Sequence, residues 1–547
     1  MGSSFFEFNI ATTGLFAARA GLEVTSNNVT NMATPGYSRQ YIKQRAGTPL
    51  DKYNGVGQVG TGTEVYGIGR HRDVYLDKKY WSQNSVYGEY SQKDIQLGMM
   101  ETIFSATSEK GLTENINTFF NSISDLKFTA GDLNYRSAVI NNADTLVSTI
   151  KNHAHKLRQQ QIDINEDIYA LTERINAIGS QIANLNDQIY RFEIDGHTAN
   201  ELRDQRTLLL DELSKYVNVE FKEVSDNSGR GELGVKTNIL INGQEFINHD
   251  SVRKIQLERR TDPLNPSDAP NLYDIKWENG ESLNLKGLEG ELKGLIDIRD
   301  GSGEANLPAQ PPANPPAPNQ PVENPIVYKG IPYYINKLNE FARTMARAFN
   351  EGTKLDGTKL DGVIGHRNGF DLDGNEGGLF FTKVDENGNN LADIPGTNNQ
   401  PPTDAEIKAF YVSIDIFNFA ISDELKKNPS RLATSDNPNK EQSNDKVIKG
   451  FIKLKDDVSL FAEGGAYQFV NSLASTLGID KKQASNFTKY YQDITTTVDN
   501  QRMQVSGVSL NEEVANIVKY QHLYQTASKL INTINDIYNT TINGLGI

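Results

Sequence analysis

The chain has 547 residues, of which 37% are apolar and 23% charged, and it carries a formal net charge of -15. This length exceeds what a single hydrophobic core usually serves, so about three or four globular domains are expected. The negative charge argues against nucleic acid or an anionic membrane as a ligand, and the absence of cysteine excludes disulfides, thiolate metal sites and cysteine nucleophiles.

The N-terminal segment does not have the pattern of a cleaved signal peptide. Residues 1–21 lack a basic start followed by a continuous apolar run, because Glu7 and Asn9 interrupt the apolar positions. No apolar run in the sequence approaches the roughly 20 residues that a membrane helix needs. We therefore expect no membrane span, and either a cytoplasmic protein or one that is exported without a cleaved signal peptide.

The first predicted element is an amphipathic helix near the N-terminus. From Phe8 to Met32, apolar and small residues recur at alternating steps of three and four, which is the heptad spacing of a coiled-coil stripe. The bulky members of this stripe are Phe8, Leu15, Leu22 and Val29.

The middle of the chain changes from a helical pattern to a strand pattern. A heptad stripe from Ile164 to Phe192 lies within a helical pattern over 135–215, and together they predict the long helices of a bundle, with a break at Gly196. From Val217 the apolar period changes towards two and turn residues bracket the apolar runs, which predicts a β-rich domain.

A proline-rich segment follows the strand pattern. Eight prolines fall within 308–325, a composition that neither pairs in a sheet nor continues a helix, so we predict a solvated loop there. Residues 331–350 return to helical spacing, and 352–440 are rich in Gly, Asp and Asn with short apolar runs. The helical pattern resumes from about Asp445 and continues to the C-terminus.

The last element is a second terminal heptad stripe, from Ile517 to Leu545. Such a stripe can pack on the core of its own domain, but its placement opposite the N-terminal stripe favours pairing of the two termini as a coiled coil that also contacts neighbouring subunits. In this helix the predicted subunit-interface residues are Ile517, Tyr520, Tyr524, Ala527, Ile531, Ile534 and Tyr538, which join Phe8, Leu15, Leu22 and Val29 of the first stripe.

The predicted fold class is α+β and multidomain, with a terminal helical coiled coil, a helical-bundle domain and inserted β-rich outer domains. The predicted units are an N-terminal axial helix and turn (1–45) that pairs with a C-terminal axial helix (505–547), a helical bundle (46–217, completed by 331–350 and 445–504), a β-rich insertion (218–330, with the loop 308–325) and a second β-containing insertion (351–444). In this nested order both termini lie at the same end of the molecule.

Several segments resemble the axial proteins of the bacterial flagellum, the family of rod, hook and hook-associated proteins. The resemblance covers both ends closely and the helical regions recognisably, and after Gly36 it is more similar to hook-associated members than to rod or hook proteins. The segments that carry it are 9–18, Thr25–Asn31, Thr34–Gln40, Asp204–Arg206 with Leu208–Leu213, Gly374–Phe381, Val505–Glu513 and 518–525.

The resemblance implies a structural subunit of the flagellum at the hook–filament junction, not an enzyme. It implies an extracellular location reached through the flagellar type III export apparatus with an export chaperone. It also implies assembly with other copies of the chain as a ring or helix. The other implied partners are the hook protein and the next hook-associated junction protein, which connects this chain to flagellin. It implies no cofactor, no nucleic-acid partner and no membrane partner.

Three patterns could suggest chemistry but are better explained structurally. Gly55–Gly60 matches G-x-G-x-x-G without a preceding strand or following helix, so a glycine-rich turn is preferred over a nucleotide site. Asp371–Asn375 offers alternating oxygens but lacks the EF-hand spacing, so an Asp-Gly turn before a strand is preferred over a calcium site. His153 and His155 are two residues apart on a helix, hence poor joint metal ligands, and are expected to be solvated.

A second class of function remains open for the inserted domains. Residues 222–325 and 385–440 show no pattern that places them, so they could carry a surface adhesin or a hydrolase activity. Turnover of a glycan or protein by an isolated 222–325 fragment would favour that alternative, whereas polymerisation or ring formation with hook ends would favour the structural subunit.

Overall fold

The computed structural model shows an α+β protein of several domains, as the sequence predicted. In the described part of the chain, no helix is long and apolar enough to cross a membrane. The loop 308–325 and parts of both insertions lie outside the described residues. These are 6–51, 57–105, 111–194, 196–225, 235–303, 326–385, 388–391, 393–394, 401–439 and 444–545.

The helices are α1 (Phe6–Thr30), α2 (Val74–Ser105), α3 (Leu112–Leu126), α4 (Leu133–Glu193), α5 (Asn200–Tyr216), α6 (Glu291–Asp300), α7 (Ile331–Glu351), α8 (Asp404–Val412), α9 (Asp423–Lys427), α10 (Lys446–Lys453), α11 (Ala466–Ser506) and α12 (Leu510–Leu545).

The strands are β1 (Gln40–Ala46), β2 (Leu50–Asp51), β3 (Gln58–Val59), β4 (Thr63–Arg70), β5 (Val219–Ser225), β6 (Val235–Ile241), β7 (Gln244–Asn248), β8 (Ser251–Val252), β9 (Ile255–Arg259), β10 (Tyr273–Trp277), β11 (Phe381–Lys383) and β12 (Phe419–Ile421).

The bundle is organised around α4, which has 61 residues and is therefore about 90 Å long. The side chain of Asp132 begins this helix by accepting a hydrogen bond from the backbone N–H of Asn134, 2.8 Å away. Its buried stripe includes Ile164, Ile168 and Ile175, as the heptad pattern predicted. Helices α2, α3, α5, α6, α7 and α11 pack around it or around one another.

The first insertion is a four-stranded antiparallel sheet in the order β5–β6–β7–β8, with β9 and β10 as a separate antiparallel pair. The sheet lies close against α4, because a Cβ built on Gly179 would be 2.4 Å from the ring of Phe246. Asn176 fixes the neighbouring strand, since its side chain donates to the carbonyl of Ile255 and accepts from the same residue's N–H. The sheet is therefore docked on the bundle along the C-terminal third of α4.

The second insertion packs against one helix of the bundle, α7. Its predicted stripe is fully buried, including Phe341, Met345 and Phe349. The side-chain amide of Asn350 ties the helix to β11, because its oxygen accepts from the N–H groups of Phe380 and Phe381 and its nitrogen donates to the carbonyl of Phe381. The strand pair β11–β12 is small, and the rest of this insertion consists of turns and short helices.

Two predicted boundaries of the bundle were wrong. Residues 46–70 were assigned to helices, but this region forms β1–β4, and the bundle begins with α2 at Val74. The range 218–330 was assigned to the β-rich insertion, but it contains α6, whose apolar residues are buried in the bundle. An ion pair joins α6 to α2, because Nζ of Lys93 lies 2.7 Å from Oδ2 of Asp297.

The three segments whose patterns could suggest a nucleotide, calcium or metal site form structural elements. The described end of the glycine-rich segment forms β3, which pairs with β2, and both oxygens of Asp371 accept hydrogen bonds from its own turn or from Arg431. His155 is exposed as predicted, but the solvated position predicted for His153 was wrong. His153 lies against Phe104, and its burial lowers its pKa to about 4.

Candidate subunit interface

The two terminal helices lie side by side and run antiparallel. The side chain of Asn28 donates a hydrogen bond to Glu513 at 3.1 Å, and seven residues earlier Gly21 lies under the ring of Tyr520. Facing positions therefore follow one register: moving one residue towards the N-terminus of α1 corresponds to moving one residue towards the C-terminus of α12. The chain thus places its two ends together in one helix pair.

Small side chains of α1 form the seam between the helices. Ala11, Ala18, Gly21 and Thr25 are buried. The Tyr520 ring is so close to Gly21 that a Cβ there would lie 2.5 Å from two ring carbons. Small residues allow two helix backbones to approach closely, so the bulky row of α1 is left beside the seam.

The predicted interface residues occupy one side and the centre of the helix pair. Ile534 is 5% exposed and lies in the seam, whereas Tyr524 is 39% exposed. The remaining predicted residues, Ile531 among them, are half-buried within the single chain. We call the surface of bulky side chains beside the seam the broad apolar face; it consists of Phe8, Leu15, Leu22, Val29, Ile517, Tyr524, Ile531 and Tyr538.

A buried carboxylate joins the helix pair to the turn after α1. The side chain of Glu513 is 1% exposed and accepts from Asn28 and from Nε of Arg39, 2.7 Å away. Arg39 also pairs with Glu512, and its backbone N–H donates to the carbonyl of Ser506 at 2.8 Å. The end of α11, the start of α12 and the turn after α1 are therefore held at one point.

Asn28 is the central residue of this point, which we call the neck and define as residues 28–40 with 506–513. Its amide nitrogen donates to the carbonyl of Gln40, and its oxygen accepts from the N–H of Gln40, both at 2.9 Å. The hydroxyl of Tyr37 donates to the same oxygen. Burial, followed by nearby carboxylates, raises the pKa of Tyr37, so this hydroxyl remains a donor at neutral pH.

The neck is anchored to the bundle through α5. Asp204 accepts hydrogen bonds from the N–H and the hydroxyl of Ser38, at 2.8 and 2.7 Å, and pairs with Arg70. The burial of Arg70 lowers the pKa of its guanidinium, although the carboxylate of Asp204 opposes this effect. The resemblance-bearing segments 25–40, 204–213 and 505–513 thus meet in space.

A second cluster of charges surrounds Arg502 near the end of α11. Its guanidinium lies 2.9 Å from Asp77 and 2.7 Å from Asp211, and it stacks over the ring of Tyr80 at 4.3 Å. Burial raises the pKa of Asp211, while Arg502 and the indole N–H of Trp81 oppose that rise. The cluster joins α2, α5 and α11 directly below the neck.

The sequence pattern indicated the bulky residues of the broad apolar face, whose role in a subunit interface stays a prediction. It did not indicate the contacts of the neck or of the Arg502 cluster. Asn28, Arg39 and Glu513 lay in the resemblance-bearing segments without a predicted contact. Gly14, Gly21 and Asn28 recur at steps of seven beside the predicted apolar stripe, and this row of small and polar residues is the signal that could have indicated Asn28. No local pattern could have paired Arg502 with Asp77 and Asp211, because each belongs to a different helix.

The arrangement defines a class of protein before any comparison. Both ends of the chain form one helix pair that presents an apolar face, and a braced neck connects it to a long body with outer insertions. Among the described residues, no group of three or more His, Cys, Asp or Glu side chains could hold a metal ion. This arrangement is typical of a structural subunit.

Comparisons with known proteins agree with this class. The model of the flagellar hook-associated protein FlgK helical domain matches residues 97–381, which is more than half of the chain. The model of the flagella basal body rod protein matches 8–37, which includes α1. The model of the flagellar basal body rod FlgEFG protein C-terminal region matches 500–544, which includes α12. The chain belongs to the flagellar hook-associated protein FlgK family.

Relatives similar to the whole chain carry the same name. Flagellar hook-associated protein 1 of Bacillus subtilis is 27% identical over 100% of this chain and 99% of its own length. The protein of that name from Escherichia coli is 25% identical over 98% of this chain and 99% of its own length. The flagellar hook junction protein FlgK from Burkholderia pseudomallei has a similar fold, with a TM-score of 0.56, 12% identity, and coverage of 78% of this chain and 100% of that one.

The chain is a structural protein of the bacterial flagellum with a role at the hook–filament junction, and it is not an enzyme. As a hook-associated protein it self-assembles and associates with other flagellar components. The relatives give no support to the adhesin or hydrolase alternative.

Proposed function

We propose that the terminal helix pair is the element through which copies of this chain polymerise and attach to the end of the hook. The observation that carries the proposal is the broad apolar face: its two rows of bulky side chains lie on one side of the helix pair and stay partly exposed in the single chain. Covering such side chains stabilises association by roughly 25 cal/mol for each Å² of apolar surface removed from water.

Membership of the family and the joint position of the two terminal helices support the following specific partners. The hook protein lies below the assembled copies, and the next hook-associated junction protein lies above them and connects to flagellin. The chain reaches this extracellular position unfolded, through the flagellar type III export apparatus, with an export chaperone. The two insertions face the medium.

The experiment that tests the proposal adds purified chain to isolated hooks and measures attachment by sedimentation and electron microscopy. Ile531→Asp places a carboxylate in the broad apolar face and should abolish attachment. Asn535→Asp introduces the same charge one helical turn later at an exposed position and should leave attachment unchanged.

Because Ile531 is already half-buried in the single chain, the monomer must be measured as well. The melting temperature of the body should not change, since α12 lies outside the bundle core. If Ile531→Asp still attaches to hooks, or if it unfolds the body, the helix pair is not the assembly element.

A further inference from the structure

The helix pair carries a second apolar surface that the broad apolar face does not include. Leu523, Leu530 and Ile537 recur every seven residues along α12, and they are 49%, 48% and 54% exposed. We call these three residues the narrow row. Their spacing repeats along two heptads, or roughly 21 Å of helix. Three large aliphatic side chains aligned in this way form a ridge that the single chain leaves uncovered.

The narrow row and the broad apolar face lie on opposite sides of the helix pair. A crevice beside β1 is lined by Val24 of α1 and by Asn516 of α12, together with Ile42. Asn516 is seven residues before Leu523, so the narrow row faces the side of this crevice. Leu22 is two residues from Val24, which is about 200° or more than half a turn of helix, so it lies on the other side.

We propose that the narrow row of one copy docks onto the broad apolar face of a second copy, so that subunits join head to tail. This inference rests on the proposed function of the helix pair and adds the pairing of surfaces. Two different patches on opposite sides give a heterologous contact, and such contacts generate rings or helical assemblies rather than closed dimers. Neither surface contains a charged residue, so docking leaves no charge unpaired.

The positions of the two rows along the helix axis support a second copy of the chain as the partner. Counting from the contact between Gly21 and Tyr520, Leu530 lies level with Ala11, and Leu523 with Ala18. In two copies at the same height, Leu530 would fall between Phe8 and Leu15 of the neighbour. Leu523 would likewise fall between Leu15 and Leu22. The ridge of one copy therefore fits the spaces in the row of the next, as ridges fit grooves in helix packing.

The absence of cysteine from the full sequence allows a direct test by cross-linking. Leu15→Cys and Leu530→Cys chains are prepared separately, attached to hooks as a mixture and treated with a short bis-maleimide. Linked dimers should form in the mixture and not in either variant alone. Val29→Cys mixed with Leu530→Cys is the matched control. Position 29 lies about 21 Å further along the helix axis than position 15, so this mixture should give no product.

Leu530→Glu keeps the test decisive if a cysteine variant fails to attach. Leu530 lies outside the seam, so this variant should keep the melting temperature of the natural chain. Its attachment to hooks should fall at least tenfold. Gln525→Glu, on the exposed face of α12, is the control and should attach normally. Dimers from Leu530→Cys alone, or normal rings from Leu530→Glu, would overturn the pairing. Normal rings from Leu530→Glu together with failed attachment of Ile531→Asp would reject only this pairing and leave the proposed function in place.

Discussion

The ring of Tyr520 in α12 lies directly over Gly21 in α1, and a Cβ on that glycine would be 2.5 Å from the ring. This relationship sets the distance between the two terminal helices. Glycine costs a helix about 1 kcal/mol relative to alanine, so its presence in the middle of α1 needs a packing reason. The close approach of the Tyr520 ring supplies that reason.

Gly21→Ala should therefore weaken the helix pair even though alanine favours the helix. Gly14→Ala is the matched control, one heptad earlier on the same helix, where a Cβ would meet no atom within 4 Å. We expect faster amide hydrogen exchange across α1 and α12 in Gly21→Ala, and unchanged or slower exchange in Gly14→Ala. Equal exchange in the two variants would show that Tyr520 does not limit the approach of the helices.

The sequence predicted the terminal stripes, the long helices and the two insertions, because each depends on a local repeat of apolar residues. It did not predict which row of α1 forms the seam. Large side chains such as Leu15 and Leu22 dominate a hydrophobic pattern, yet small ones such as Ala18 permit the close approach. The Arg502 cluster could not be predicted either, since long-range ion pairs between separate helices leave no periodic signal.

Replacing Arg502 should destabilise the body of the molecule. Its side chain is 7% exposed and pairs with Asp77 and Asp211. Asp77 keeps its pair with Arg72, but Arg502→Met leaves the largely buried carboxylate of Asp211 without its ion-pair partner. Losing one partner of a buried ion pair costs on the order of 3 kcal/mol. Chemical denaturation should show a loss of that size in the free energy of unfolding.

Arg19→Met is the control for this prediction. Arg19 forms an ion pair with Glu23 in which both side chains are about two thirds exposed, and such pairs contribute less than about 1 kcal/mol. The unfolding free energy of this variant should match that of the natural chain. A comparable loss in both variants would mean that the Arg502 cluster adds nothing beyond a surface pair.

His366 should make the second insertion sensitive to mild acid. Its buried ring bonds the carbonyl of Gly378 at 2.7 Å and accepts at Nε2 from the N–H of Ala433 at 2.9 Å. Burial lowers its pKa to about 4 from an ordinary value of 6.5, although the bond to Gly378 opposes that effect. The folded state thus holds His366 neutral, whereas the unfolded chain takes up a proton below pH 6.5.

This stabilisation is fully present above about pH 6.5 and is lost as the pH falls towards about 4, by on the order of 3 kcal/mol. His366→Gln offers an amide in place of the ring and cannot titrate, so its unfolding free energy should fall less steeply between pH 6.5 and 4.5. Parallel pH profiles for the natural chain and the variant would exclude His366 as the source.

The final prediction concerns Asn28, which holds α1, β1 and α12 together in the neck. Its side chain bonds both backbone groups of Gln40 and the buried Glu513. Asn28→Ala leaves the two buried backbone groups of Gln40 without this partner, at about 1–3 kcal/mol for each unsatisfied group, and leaves Glu513 with Arg39 alone. The helix pair and the bundle each keep their own cores, so we expect both to remain folded while the angle between them becomes variable. Spin labels on cysteines introduced at the exposed positions Asn184, near the neck end of α4, and Asn535 would measure this as a distance distribution. It should be narrow in the natural chain, broad in Asn28→Ala and narrow in Asn9→Ala, the same change at an exposed position of α1. A junction that connects hook to filament needs a fixed neck, so Asn28→Ala should also reduce attachment to hooks. A narrow distribution in Asn28→Ala would show that the remaining contacts, Arg39 with Glu513 and Ser38 with Asp204, suffice to hold the neck.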